Sequence, residues 1–314
     1  MDSLPSDGRP EVLALRALKL GDLLVAVPAL HALRRAYPGH RLIYAAQPWL
    51  APVLALVGGV DTLLKTQGLD DPLSLSPGRV EVAVNLHGSG PESLYRLDEL
   101  APKRRIGHLG PGWDGPQWRD GVHERERWAQ LLQWHGIPAD PLDYRLQLPM
   151  VANPLPSAAV VHVGAAYGSR LWPQERFAAV ARGLEAAGHC VTFTGSEGER
   201  RRALQVAALA GLPQERVVAG TLGLDEFAAV IAGASIVVSA DTGAAHLASA
   251  YGRRSVVIFG PAPVSEWGPP PGPHIALTRA ELRRGDTFSA IPDPALLAVS
   301  AADVLAAARD LGCL

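Results

Sequence analysis

The stretch Ile236-Val237-Val238-Ser239-Ala240-Asp241-Thr242-Gly243-Ala244-Ala245-His246-Leu247-Ala248 runs from apolar residues through a tight Asp-Thr-Gly turn into small ones. That order spells a buried strand, a turn and the opening of a helix. A helix N-terminus presents free N–H groups and a partial positive charge, so it holds phosphate without needing a lysine. Gly243 lets a ligand approach the backbone closely, and His246, one turn in, reaches the same anion. The same residues also read as Thr242 capping a helix and His246 facing solvent.

Leu15-Arg16-Ala17-Leu18-Lys19-Leu20-Gly21-Asp22-Leu23-Leu24 repeats the passage of strand, loop and helix, with an acid at the helix entrance. It lacks Gly-x-Gly-x-x-Gly, so it is a poor dinucleotide fingerprint. Asp22 has two readings. It is a favoured helix cap, or a carboxylate placed to take a proton from a hydroxyl nucleophile.

Three further segments carry ligand chemistry. Gly164-Ala165-Ala166-Tyr167-Gly168-Ser169-Arg170-Leu171-Trp172-Pro173 is a glycine-rich loop with one cation, closing on a proline-opened helix, and suits an anion. Thr194-Gly195-Ser196-Glu197-Gly198-Glu199-Arg200 puts acids where a ribose diol commonly donates hydrogen bonds. A surface helix start is the plainer reading of both, and for Glu199 the better one. Phe259-Gly260-Pro261, followed by Trp267-Gly268-Pro269, is a rigid loop. Four of these five segments lie at carboxyl ends of predicted parallel strands, where open α/β sheets bind their ligands.

The elements that must position these groups alternate between short apolar runs and helical patterns, the signature of parallel α/β architecture. In the first half, strands are expected at 12–16, 41–46 and 80–86 and helices at 23–36 and 123–135. Residues 107–121, rich in Gly, Pro and Trp, form a loop. The second half restarts at 159–163 and continues with strands at 190–194, 235–239 and 255–259. Its helices are expected from Pro173 onward and at 198–210, 224–232, 242–251 and 300–311. Two prolines in 151–156 mark a linker, giving domains 1–152 and 153–314. The fold class is α/β, two Rossmann-like parallel-sheet lobes facing a central cleft, with the C-terminal helix packing back on the first lobe.

A chain of 314 residues suits two domains. Hydrophobic residues make up 48% and charged ones 19%, as in a globular protein with a large core. The net charge of −2 gives none of the basic footprint that nucleic-acid binding needs, so no nucleic-acid partner is expected. Cys190, in an expected buried strand, and Cys313 are the only cysteines. They form no disulfide framework or zinc site and fit a reducing cytoplasm. Residues 1–10 are polar and lack a signal-peptide apolar region, and no apolar run is long enough to span a membrane. A place at a membrane surface stays open.

Together, Lys19-Leu20-Gly21-Asp22, Arg170-Leu171-Trp172-Pro173, Gly195-Ser196-Glu197 and Asp241-Thr242-Gly243-Ala244-Ala245-His246-Leu247 stand in an order that resembles the ADP-heptose:lipopolysaccharide heptosyltransferases, glycosyltransferase family 9. The loop Phe259-Gly260-Pro261 with Trp267-Gly268-Pro269 resembles that family too. The resemblance implies a GT-B fold, with acceptor held mainly by the first lobe and nucleotide-sugar by the second. It implies inversion at the anomeric carbon with Asp22 as general base. Arg170 falls where the family usually has a phosphate-contacting lysine, Glu197 near the ribose-contacting acid and Asp241 near the transferred sugar. Thr242, Gly243 and His246 fall at the diphosphate; Lys19, Gly21 and His87 are candidates for the acceptor side. No metal or other cofactor is expected, since helix amides, Arg170 and His246 can meet the leaving-group charge. The implied partners are a nucleotide-sugar, ADP-linked and heptose-like, and a cell-envelope glycan or glycolipid. The implied state is a cytoplasmic monomer, compatible with peripheral association at the inner membrane face.

Other readings give distinct outcomes. A nicotinamide-dependent dehydrogenase would show a glycine fingerprint and an acid about 20 residues beyond its first strand, and neither half does. A non-catalytic sugar-nucleotide binder of the same fold would tolerate Asp22→Asn. A transferase of secondary metabolism would differ in its acceptor.

Overall fold

The computed structural model describes residues 4–314, so the first three residues of the polar N-terminal stretch lie outside the described residues. The chain divides into two compact units, Met1–Gln147 and Leu148–Leu314. The first contains β1 (Glu11–Leu15), α1 (Leu20–Ala36), β2 (Arg41–Ala46), α2 (Ala51–Val57), β3 (Thr62–Lys65), β4 (Val80–Asn85), α3 (Pro91–Asp98), β5 (Arg104–Ile106) and α4 (Glu124–Trp134). Its parallel sheet has the order β3-β2-β1-β4-β5. β1 is buried along its whole length and central, which is why its sequence is continuously apolar after Glu11 instead of alternating.

The second unit contains β6 (Ala159–His162), α5 (Gln174–Ala186), β7 (Val191–Thr194), α6 (Arg200–Ala210), α7 (Leu224–Ala232), β8 (Ile236–Ala240), α8 (Gly243–Ala250), β9 (Ser255–Ile258), α9 (Val264–Trp267), β10 (His274–Leu277), α10 (Pro294–Leu297) and α11 (Ala301–Asp310). Its sheet is also parallel, with the order β10-β9-β8-β6-β7. Both units are doubly wound, but their strand orders differ. The order reverses between β1 and β4 in the first unit and between β6 and β8 in the second. Crevices at such reversals, outside the carboxyl ends of the strands, are where open α/β sheets take ligands.

The C-terminal helix is built into the second unit's core. Val304, Ala307 and Ala308 of α11 join the cluster that holds Trp172, Phe177 and Val180. Small residues make this approach possible: a Cβ at Gly183 of α5 would crowd the Leu305 side chain at 2.6 Å. Ser300 caps α11 through a reciprocal pair with Asp303, the Asp303 N–H donating to Ser300 Oγ at 3.1 Å. One expectation is corrected here: Cys190 is not buried in a strand. It is exposed one residue before β7, where Arg216 donates to its sulfur. No described helix is long and apolar enough to cross a membrane.

Candidate functional site

Side chains at the carboxyl ends of β1 and β4 form the first constellation. Asp22 lies in the first turn of α1, and its Oδ2 accepts the backbone N–H of Lys19 at 3.1 Å, so it does cap the helix. The same carboxylate has a second partner. Its Oδ1 accepts from Nη2 of Arg16 at 3.0 Å. Arg16 follows β1 and is only 2% exposed. Its Nε donates to the Asp22 carbonyl at 2.8 Å and its Nη1 to the Leu86 carbonyl after β4. Its guanidinium also lies over the Trp128 ring, 4.7 Å from the centroid. The acid is therefore held by its own helix and by the strand beneath it, which leaves it one defined orientation.

His87, just past β4, is half-buried and accepts the Ala17 N–H on Nδ1 at 3.3 Å. Burial, then the Arg16 charge, push its pKa down to about 4, against a smaller opposing pull from Asp22. At neutral pH it is thus uncharged, with its proton on Nε2. Lys19 is exposed and Gly21 half-buried in the same turn as Asp22. The fold brings Lys19, Gly21, Asp22 and His87 to one end of one sheet. Sequence reasoning missed Arg16 and Glu124 of this group; the one available signal for Arg16 is a lone charge ending an apolar strand.

The second constellation stands at the strand-order reversal of the other unit. Asp241, which is 3% exposed, directly follows β8, and α8 begins two residues later. Arg170, on a short turn after β6, places Nη1 3.3 Å from Asp241 Oδ2 and 3.3 Å from the Asp241 carbonyl. His246 Nε2 is 3.6 Å from Asp241 Oδ1. The solvent-facing reading of His246 does not hold: it is 8% exposed, its ring centroid 6.3 Å from that of Trp267. Thr242 occupies the N-cap position of α8 but spends its hydroxyl on Ser239 Oγ at 2.7 Å. The first N–H groups of the helix, at Gly243 and Ala244, have no intrahelical acceptor. Arg170 Nε and Asp241 Oδ2 are buried without hydrogen-bond partners. Both therefore retain bonding capacity beside that helix end, the condition under which buried polar groups commonly await a ligand or water.

Glu197 and Glu199 divide at the end of β7. Glu199 turns back as a cap, its Oε2 accepting from Ser196 N at 2.6 Å and Ser196 Oγ at 2.8 Å. Glu197 is exposed and its carboxylate lies against Gly220, free of a competing cap bond. Of the two acids, Glu197 is the one open to a diol.

The turn carrying Arg170 is fixed from behind. Ser169 N donates to the Ser289 carbonyl at 2.8 Å and Ser169 Oγ to the Thr287 carbonyl at 2.8 Å. A Cβ at Gly168 would overlap the backbone of Ala290. Gly168→Ala is expected to lower stability by about 1–3 kcal/mol through overpacking, read as a lower guanidinium midpoint at unchanged slope. An unchanged midpoint would mean that the 285–293 loop yields freely. Among the described residues no three His, Cys, Asp or Glu side chains gather as a metal-holding group.

Residues 138–289 match the model of glycosyltransferase family 9 (heptosyltransferase). Lipopolysaccharide heptosyltransferase 1 of Pseudomonas aeruginosa is 32% identical over 178 residues, covering 55% of this chain and 47% of that enzyme, so the match spans about half its length. The solved glycosyl transferase family 9 protein of Veillonella parvula superposes with a TM-score of 0.78 at 19% identity, covering 97% of each chain. ADP-heptose lps heptosyltransferase II of Escherichia coli superposes with a TM-score of 0.76 at 18% identity, covering 96% of this chain and 98% of that one. These two agree with the fold throughout, and the sequence match covers the second constellation, from Arg170 through Glu197 to Asp241 and His246. On that combined footing, the chain has the fold of these proteins, and its residues 138–289 are similar in sequence to glycosyltransferase family 9.

Proposed function

We propose that this protein is an inverting glycosyltransferase that moves a sugar from a nucleoside-diphosphate donor to a hydroxyl of a cell-envelope glycan or glycolipid. The observation that carries this reading is the cluster of Arg170, Asp241 and His246 beside the open first turn of α8, with Arg170 Nε and Asp241 Oδ2 buried and making no hydrogen bond. A diphosphate fits the helix amides and Arg170, and a sugar hydroxyl can donate to Asp241. Glu197 accepts from the ribose. As the bond from the anomeric carbon to the diphosphate breaks, charge grows on the phosphate oxygens. The amides at Gly243 and Ala244, with Arg170 and His246, meet it in place, so the reaction needs no metal.

The first unit takes the acceptor. The acceptor oxygen attacks the anomeric carbon from the face opposite the leaving group, and its proton passes to Asp22. One displacement gives inversion. His87, neutral with Nε2–H available, and Lys19 and Gly21 in the Asp22 turn orient the acceptor. ADP as nucleotide and heptose as sugar are taken from the relatives: the names of two of them say lipopolysaccharide heptosyltransferase 1 and ADP-heptose lps heptosyltransferase II. The working place is the cytoplasm, at the membrane face where such acceptors are exposed, and the working form is a monomer.

Thermal-shift measurements against ADP-, GDP-, UDP- and dTDP-sugars test the donor. ADP-sugars are expected to raise Tm, and ADP to be released when a lipopolysaccharide-core acceptor is added. Stabilisation by none of the four would overturn the reading. Stabilisation without release on any acceptor would leave a binding protein.

A further inference from the structure

Arg16 does not serve Asp22 alone. The Nη2 that donates to Asp22 Oδ1 at 3.0 Å also donates to Oε2 of Glu124 at 3.2 Å, 108 residues further along the chain. Glu124 opens α4 and is 7% exposed. Its other oxygen accepts from Arg127 Nε at 2.7 Å, and Trp128 Nε1 donates to Oε2 at 3.2 Å. A largely buried row of alternating charge results: Asp22, Arg16, Glu124, Arg127. A surface acid at a helix start would need none of these partners.

Because Arg16 is shared, Asp22 receives only part of its attraction. We propose that Glu124 is a positioning residue for the Asp22 carboxylate: it fixes the Arg16 guanidinium in place and shares the same nitrogen with Asp22. The inference rests on the assignment of Asp22 as general base. The charged and titratable groups around that carboxylate are Arg16, Lys19, Tyr44, His87, Glu124 and Arg127. Tyr44, on β2, has its hydroxyl donating to the Arg16 carbonyl at 3.3 Å, and burial pushes its pKa upward, so it stays neutral. His87 is neutral above about pH 5, as its depressed pKa requires. Exposed Lys19 meets Asp22 through its backbone N–H. The row of Arg16, Glu124 and Arg127 is what remains to set the local charge.

Removing the Glu124 charge leaves Arg16 wholly to Asp22, which favours the ionised form and lowers the proton affinity of Asp22. Removing the Arg127 charge does the reverse. Two readouts follow. One is the carboxyl carbon titration of Asp22, identified by its disappearance in Asp22→Asn. The other is the acid limb of kcat against pH. In Glu124→Gln both are expected about one pH unit lower, with plateau kcat down roughly tenfold and donor KM unchanged. Glu124→Asp should restore most of kcat, and Arg127→Gln should move the titration upward. The Arg127 variant carries the test if Glu124→Gln does not fold. A titration of Asp22 that stays put in every folded variant overturns the proposal. If the titration moves as expected but transfer does not depend on Asp22, the tuning stands and the base assignment falls.

Discussion

Asp22→Asn is expected to reduce sugar transfer by roughly 10²–10⁴-fold, the range over which a positioned general base acts. The asparagine fits the same space. Its side-chain oxygen still accepts from the Lys19 N–H or from Arg16, so the start of α1 remains capped and the fold intact. What it lacks is a site for the acceptor's proton. Nucleotide-sugar binding, assigned to the second unit, should be unchanged by calorimetry, and donor KM should hold while kcat falls. That split identifies loss of an interaction made only in the transition state. Transfer at the parental rate would sink the base assignment, and a parallel loss of donor binding would mean that Asp22 belongs to the donor site.

Arg170→Ala should cost about 10²–10³-fold in kcat/KM, as removal of a preorganised charge stabiliser does. Two effects combine in it. On the proposed donor site the diphosphate loses a guanidinium contact near α8, and Asp241, buried except for 3% of its surface, loses the cation 3.3 Å away. Unpairing a buried carboxylate is destabilising by itself. Arg170→Lys separates the two. An ammonium at this position keeps the charge beside Asp241 and lacks only the fork, so Tm should return to the parental value and kcat/KM to within about tenfold of it. Parental kinetics in Arg170→Ala would remove Arg170 from the donor site.

The central strands were legible because they are buried on both faces, and runs such as Ile236-Val237-Val238 have few other uses. Of the edge strands, β7 was legible and β3, β5 and β10 were not. β5 is three residues with two exposed arginines, and β10 is half-buried throughout, so neither carries an apolar run. Within the candidate site, Asp22, Arg170, Asp241 and His246 were legible from turn chemistry at strand ends, which is local. Glu124 was not, because an acid in the first turn of a helix already has a sufficient local reason to be there. Its partner lies 108 residues away, a distance that one sequence does not bridge. The surface that receives α11 was hidden for a related reason: helical spacing gives the apolar face but not its partner.

In both units the first strand made ends up inside its sheet, with neighbours on either side that come later. Translation therefore produces Asp22 early and completes its surroundings late. Arg16 has no carbonyl to hold until Leu86 has emerged, and no second carboxylate until Glu124 has. Arg170 likewise waits 71 residues for Asp241. Such non-local closure slows folding. It also means that a nascent or prematurely terminated chain contains the side chains proposed to act without the corners that orient them. A ribosome-bound fragment ending before residue 86 should leave Arg16 and Asp22 as an ordinary solvated pair, without the carbonyl or the second carboxylate that orient Arg16.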